Sequence, residues 1–266
     1  MPPVAIPPDL DHVIEEAWQK TRSIPGFLLE NEARFLGLLA ACTPAQGLIV
    51  EIGSFKGRST VMLASVAAHY QLGPVVAIDP HNFNLSVAPA KASPASSYDQ
   101  FVESLRVAGV SEQVEFRHAL SKDVSASWNR PIRMLWIDGD HSYAGAKADF
   151  DGFVPHLNPN GIVALHDSLN LFPGPIRVFV EDVLRSSRFG PAGFVHSIAW
   201  GQLRPEDGKK FEEQRATLGQ RASRLLPYAD RGASLHALQK MAYKLHRSRI
   251  PRTPLTAAEW VAQLEP

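Results

Sequence analysis

Carboxylates and histidines recur at the ends of short apolar runs in this sequence. LIVEI ends just short of a glycine with Glu51 in its last turn of chain, VVAID ends on Asp79, RMLWID ends on Asp138, and GIVAL is followed at once by His166-Asp167. Acidic side chains normally seek solvent, so four such terminations are hard to explain as packing. Groups of this type can accept hydrogen bonds from a ribose, neutralise a cationic ligand or hold a divalent cation. Asp138 and Asp167 are expected to share such a cation, with His166 as a third ligand. A hard Mg²⁺ suits the oxygens, and the nitrogen moves preference toward Mn²⁺, Fe²⁺ or Zn²⁺. His141, three residues after Asp138, is expected to be the general base that takes a proton from an alcohol. Asp140 is either a further ligand or a group that orients His141.

The segment Glu51-Ile-Gly-Ser-Phe-Lys-Gly57 follows the first apolar run and precedes a helical pattern. Gly53 and Gly57 permit close backbone approach and positive φ. The spacing is not the G-x-G-x-x-G of dinucleotide sites, and the acid before the first glycine would repel a pyrophosphate. It would welcome a cationic ligand that lacks phosphate. S-adenosylmethionine, with its sulfonium and ammonium groups, is such a ligand, and Asp79 is placed to bind its ribose.

These groups need a scaffold. Apolar runs at 48–52, 75–79, 114–116, 133–138 and 161–165 alternate with helix patterns at about 58–69, 96–108, 121–127, 142–156 and 175–187. Strands apolar on both faces, alternating with helices, predict a doubly wound, mostly parallel α/β sheet, whose ligands bind beyond the carboxyl ends of the strands. Segments 193–200 and 201–204 are expected to close it at seven strands. Two helices, 9–24 and 27–41, precede the sheet, separated by Pro25-Gly26. The expected organisation is a helical segment 1–47, a core 48–204 and a basic helical extension 205–266. Residues 86–97 read as a Pro/Ala/Ser loop, either a lid or inert.

The blocks E-I-G-S-F-K-G-R-S-T, A-I-D-P-H, W-I-D-G-D-H-S-Y and I-V-A-L-H-D, in this order, resemble class I S-adenosylmethionine-dependent methyltransferases with a Rossmann-like sheet. They resemble in particular the branch of macrolide-sugar O-methyltransferases and proteins labelled cephalosporin hydroxylases. The similarity runs over about 27–204. It implies that Gly53, Ser54 and Gly57 line the methionine part of the cofactor, with Ser59 and Thr60 nearby. Glu51 either touches the cofactor or orders the loop. Asp79 binds the ribose, Ala119-Leu120-Ser121 flank the adenine, and Asp138 adjoins the cofactor. It further implies a hydroxyl acceptor on a sugar or glycosylated small molecule, and a homo-oligomer.

Composition narrows the alternatives. With 45% apolar residues and 27 basic against 27 acidic side chains, the chain has a sizeable core and no overall field directed at nucleic acid or membranes. No apolar run reaches the length of a membrane span, no signal peptide is evident at the amino terminus, and Cys42 is alone, so a cytoplasmic location is expected. Blander readings exist for each site group: Asp138-Gly139 as a plain turn, His141 as a helix cap, His166 turned away to bond backbone. A non-catalytic cofactor-binding accessory protein would use the histidines in those ways. A nicotinamide-dependent dehydrogenase is disfavoured by Glu51 and the missing third glycine. A metal hydrolase leaves the glycine loop unexplained. Phe83, Phe172 and Trp200 are candidates to stack on an acceptor ring.

Overall fold

The computed structural model describes residues 5–82 and 96–265. The expected loop 86–97 and Phe83 therefore lie, apart from Ser96 and Ser97, outside the described residues. A seven-stranded sheet has the order β3-β2-β1-β4-β5-β7-β6. Its strands are β1 (Leu48–Ile52), β2 (Val75–Ile78), β3 (Val114–Arg117), β4 (Ile132–Ile137), β5 (Leu157–Leu165), β6 (Phe189–Val195) and β7 (Ile198–Leu203). The first five pair in parallel, and β7 runs antiparallel between β5 and β6.

The helices are α1 (Leu10–Thr21), α2 (Glu30–Cys42), α3 (Arg58–His69), α4 (Ser97–Ala108), α5 (Ser121–Ser125), α6 (Tyr143–Phe153), α7 (Pro173–Val178), α8 (Glu212–Ala222), α9 (Leu226–Ala229), α10 (Ala237–Ser248) and α11 (Ala257–Gln263). The helix expected at 175–187 is an α-turn from Pro173 that continues as a π-helical segment over Phe179–Leu184.

Alternation along the strands divides the core. In β4, Met134 and Trp136 pack on the face covered by α1, α2, α3 and α11, while Leu135 and Ile137 pack on the face of α6, α7 and α8. Register then fixes the site. Ile52 is opposite both Ile78 and Ile137, and Ile137 is opposite Leu165. Gly53, Asp79, Asp138 and His166 thus each stand one residue beyond a paired strand end, side by side.

The closing hairpin differs from the expected one. It reverses at His196-Ser197, with His196 at φ 51°, not at Trp200-Gly201. Gly201 lies inside β7, where a Cβ would come 2.5 Å from a Val183 methyl, so this glycine serves packing instead of a turn. Trp200 is fully buried beside Phe35 and Trp260, with ring centroids 6.5 and 5.9 Å away, and is a core residue instead of a stacking platform. Trp260 of α11 is itself fully buried, and Arg215 of α8 is buried and donates to the Gly190 and Gly208 carbonyls. Parts of the basic extension are therefore built into the core of the sheet.

Candidate active site

The glycine loop is fixed from both sides. Gly53 sits at φ 88°, and a Cβ there would come 2.2 Å from the Asp138 carbonyl oxygen; only glycine lets β1 pass so close to the end of β4. Gly57, at φ 87°, opens α3. Between them Phe55 adopts φ 47°, a conformation that costs a bulky side chain energy, and its N–H donates to Asp79 Oδ2 at 2.7 Å. The other Asp79 oxygen accepts from the His81 N–H at 2.7 Å. Asp79, nearly buried, ties the glycine loop to the turn after β2.

Glu51 points the other way from Ile52, under the first turn of α3. It is fully buried and accepts from the hydroxyls of Ser59 and Thr60, the latter at 2.5 Å. Burial pushes its pKa up to about 8, the two hydroxyl bonds oppose this, and the charges of Asp138 and Asp79 add to it. Glu51 thus bonds the first turn of α3, the helix that follows the glycine loop. Ser54 Oγ and His81 Nε2 are buried and have no hydrogen-bond partner among the described residues. Two orphaned polar atoms beside the loop and Asp79 fit a site whose polar partner is a ligand.

The segment after β3 splits. Leu120 is partly exposed, whereas the Ser121 hydroxyl donates at 2.5 Å to Asp149, a buried carboxyl of α6 whose pKa burial raises to about 6. Ser121 therefore faces α6 as well as heading α5.

Asp138 and His166 leave β4 and β5 on the face covered by α2. His166, buried, has Nδ1 at 2.9 Å from Asp138 Oδ1 and 3.8 Å from Asp167 Oδ1, and Nε2 at 3.4 Å from Glu32 Oε2. Neither nitrogen bonds backbone, contrary to the bland reading. Burial disfavours its charge, but Asp138 and then Glu32 hold its pKa well above the ordinary value. His141 Nε2 lies 3.3 Å from Asp138 Oδ1 and 3.8 Å from Asp167 Oδ2. Here too burial works against the charge and the bond from Asp138 outweighs it, so the pKa is raised. Asp138 itself, despite burial, is held at about 2 by the charge of His166 and the hydrogen bonds of both imidazoles. Phe172 packs on the His141 ring at 4.5 Å.

Asp138, His141 and Asp167 each offer one ligand atom, all within 4.8 Å of one another. The residues present thus fit a divalent cation, with His141 in this group where His166 was expected as the third ligand. Asp140 has a different task, accepting from the Ser142 N–H at 2.8 Å and its hydroxyl at 2.9 Å, which shapes the turn into α6. Cys42 is buried with its thiol pushed up to about 11 by burial, and has no role in the site.

Glu32 is a site residue that the sequence reading missed. It is 2% exposed, and accepts from the Leu29 N–H at 3.0 Å, the Ser197 N–H at 3.1 Å and the Ser197 hydroxyl at 2.5 Å, besides facing His166. Burial raises its pKa, but His166 and Ser197 outweigh it and bring it to about 2. A signal was present: Glu32 shares the apolar face of α2 with Phe35, Leu36 and Leu39, where an unpaired acid would be costly.

Residues 50–168 match the model of a family described as "Methyltransferase domain". Among solved structures, the chain is similar to the O-methyltransferase from Bacillus cereus in complex with SAH, at 21% identity over 76% of this chain and 94% of that one, TM-score 0.52. It is similar to the O-methyltransferase NovP at 13% identity over 73% and 98%, TM-score 0.57. TomG from Streptomyces achromogenes, solved with SAM, matches at 18% identity over 76% and 92%, TM-score 0.50. The sheet order and these likenesses show a Rossmann-like methyltransferase fold.

Proposed function

We propose, from the methyltransferase domain at residues 50–168 and the cluster beside it, that this protein is an S-adenosylmethionine-dependent O-methyltransferase acting on a hydroxyl of a sugar or glycosylated small molecule. The observation that carries the reading is the contact between its two halves. Gly53 of the proposed cofactor loop packs against the Asp138 carbonyl, and Asp138 holds both His141 and His166. A methyl donor on that loop and an acceptor at the histidine cluster would be neighbours, as a direct displacement requires.

In this reading Glu51 keeps the loop in shape, and Gly53, Ser54, Gly57, Ser59 and Asp79 form the cofactor side, with Ala119, Leu120 and Ser121 at its adenine end. His141 takes the proton from the acceptor hydroxyl at Nδ1, because Nε2 carries the hydrogen that it donates toward Asp138, and the imidazolium so formed is stabilised by Asp138 and Asp167. Asp138 and Asp167 would hold a divalent cation, Mg²⁺ or Mn²⁺, with His166 Nδ1 as the third donor once it releases to solvent the proton that it now donates to Asp138. Such a cation, when bound, lowers the pKa of a coordinated hydroxyl. Glu32 holds His166 from behind, and Phe172 limits the tilt of the His141 ring. The sugar acceptor rests on the resemblance of the four sequence blocks, and a homo-oligomer likewise.

His141→Ala tests the assignment. Turnover should fall by about 10²–10⁴, the usual worth of a positioned acid or base, while S-adenosylhomocysteine affinity is retained. Unchanged turnover would sink the general-base role, and lost cofactor affinity would move His141 into the cofactor site.

A further inference from the structure

The whole chain is neutral, but its charge is unevenly spread. From Arg231 to Arg252 there are six basic residues and no Asp or Glu: Arg231, Lys240, Lys244, Arg247, Arg249 and Arg252. Helix α10 lies in this stretch. One side of it is anchored, since Tyr243 is buried and its hydroxyl donates to the Leu169 carbonyl at 2.7 Å and accepts from the Leu171 N–H at 3.3 Å. The opposite side carries Leu238, Met241 and Leu245, which are 71%, 68% and 53% exposed. Positions i, i+3 and i+7 fall on one stripe of a helix. Lys244 flanks the stripe and Lys240 lies farther round the helix toward Tyr243; both are exposed, and neither makes an ion pair among the described residues.

Large apolar side chains scattered singly on a surface need no explanation, but a helical stripe of three with a basic edge does. The occupant must bury apolar side chains and neutralise positive charge together. Duplex nucleic acid offers phosphates but keeps its base faces stacked inside, away from the stripe. A second copy that paired this face with itself would bring lysines against lysines. An anionic bilayer satisfies both demands, with acyl chains for the stripe and headgroup phosphates for the basic edge.

We propose that the exposed face of α10 docks on an anionic membrane surface and makes this a peripheral membrane protein. The same helix bonds the loop that follows Asp167: Tyr243 holds Leu169 and Leu171, and Arg247 donates to Asn170 at 3.3 Å. Docking would therefore seat the membrane against a helix joined directly to the loop of the candidate active site. The proposal stands apart from the methyl-transfer reading and does not depend on it.

The test is flotation of the full-length protein with phosphatidylcholine vesicles containing about one-third phosphatidylglycerol, beside vesicles of phosphatidylcholine alone. The protein should float with the anionic vesicles only, and less as salt is raised. Leu238→Ser/Met241→Ser/Leu245→Ser and, separately, Lys240→Gln/Lys244→Gln should each lower the partition coefficient about tenfold or more, with unchanged circular dichroism. Absence of binding to either vesicle overturns the proposal. So does undiminished binding of the triple serine variant, which would mark a purely electrostatic contact with any polyanion. Light scattering that shows a dimer dissociated by those serines would assign the face to a second copy and equally overturn it.

Discussion

Glu32 and His166 are 134 positions apart and meet with 3.4 Å between Oε2 and Nε2, both side chains almost wholly buried. The contact joins the first turn of α2 to the end of β5, and through His166 to Asp138. A helix outside the matched methyltransferase segment thereby sets which imidazole nitrogen faces the candidate active site.

Removing one partner of that pair should be costly. Glu32→Ala leaves a buried imidazole and the Ser197 N–H without their acceptor, and we expect a loss of about 3–5 kcal/mol in denaturant unfolding. Glu32→Gln, which still accepts from Ser197, should lose less. Equal stability of wild type and Glu32→Ala would remove Glu32 from the structure of the site.

Glu51 predicts the sign of a pH dependence. Its carboxyl is raised from an unfolded value near 4.5 to about 8, so between these limits the folded chain holds a proton that the unfolded chain has lost. The stability contributed by this group is complete below pH 4.5, falls as pH rises, and is gone above about 8. Glu51→Gln cannot titrate. Its melting temperature should exceed that of the wild type by a few degrees at pH 8.5 and approach it at pH 5; identical pH slopes in the two proteins would contradict this.

Gly53 should tolerate no side chain. Gly53→Ala sets a Cβ against the Asp138 carbonyl in a left-handed conformation, and a stability loss of at least about 2 kcal/mol is expected. Gly73, also at positive φ but with open space around it, is the control and should lose less when changed to Ala.

The two histidines should separate in a Mn²⁺ titration of metal-stripped protein. Asp138→Asn, Asp167→Asn and His166→Gln should each weaken binding tenfold or more, and His141→Ala should leave it within about threefold. The opposite pattern would exchange the roles of His141 and His166.

What the sequence made legible follows from periodicity and from misplaced charge. Strands apolar on both faces revealed the sheet, and acids at their ends marked the groups that the register then sets in line: Gly53, Asp79, Asp138 and His166. The reversal at His196-Ser197 was not legible because Gly201, a packing glycine, resembles a turn. Glu32 escaped because an acid in the first turn of a helix reads as a favourable charge at the positive end of the dipole. The partners of Asp79 escaped for another reason. They are backbone N–H groups of Phe55 and His81, which leave no trace in residue type.

Calorimetric titration of metal-stripped protein with S-adenosylhomocysteine, repeated with Mg²⁺ or Mn²⁺ present, probes the cofactor pocket proposed at the glycine loop and Asp79. We predict saturable binding in the micromolar range that Asp79→Ala abolishes and His141→Ala leaves intact. No binding with or without the cation, by protein that is folded by circular dichroism, would contradict it.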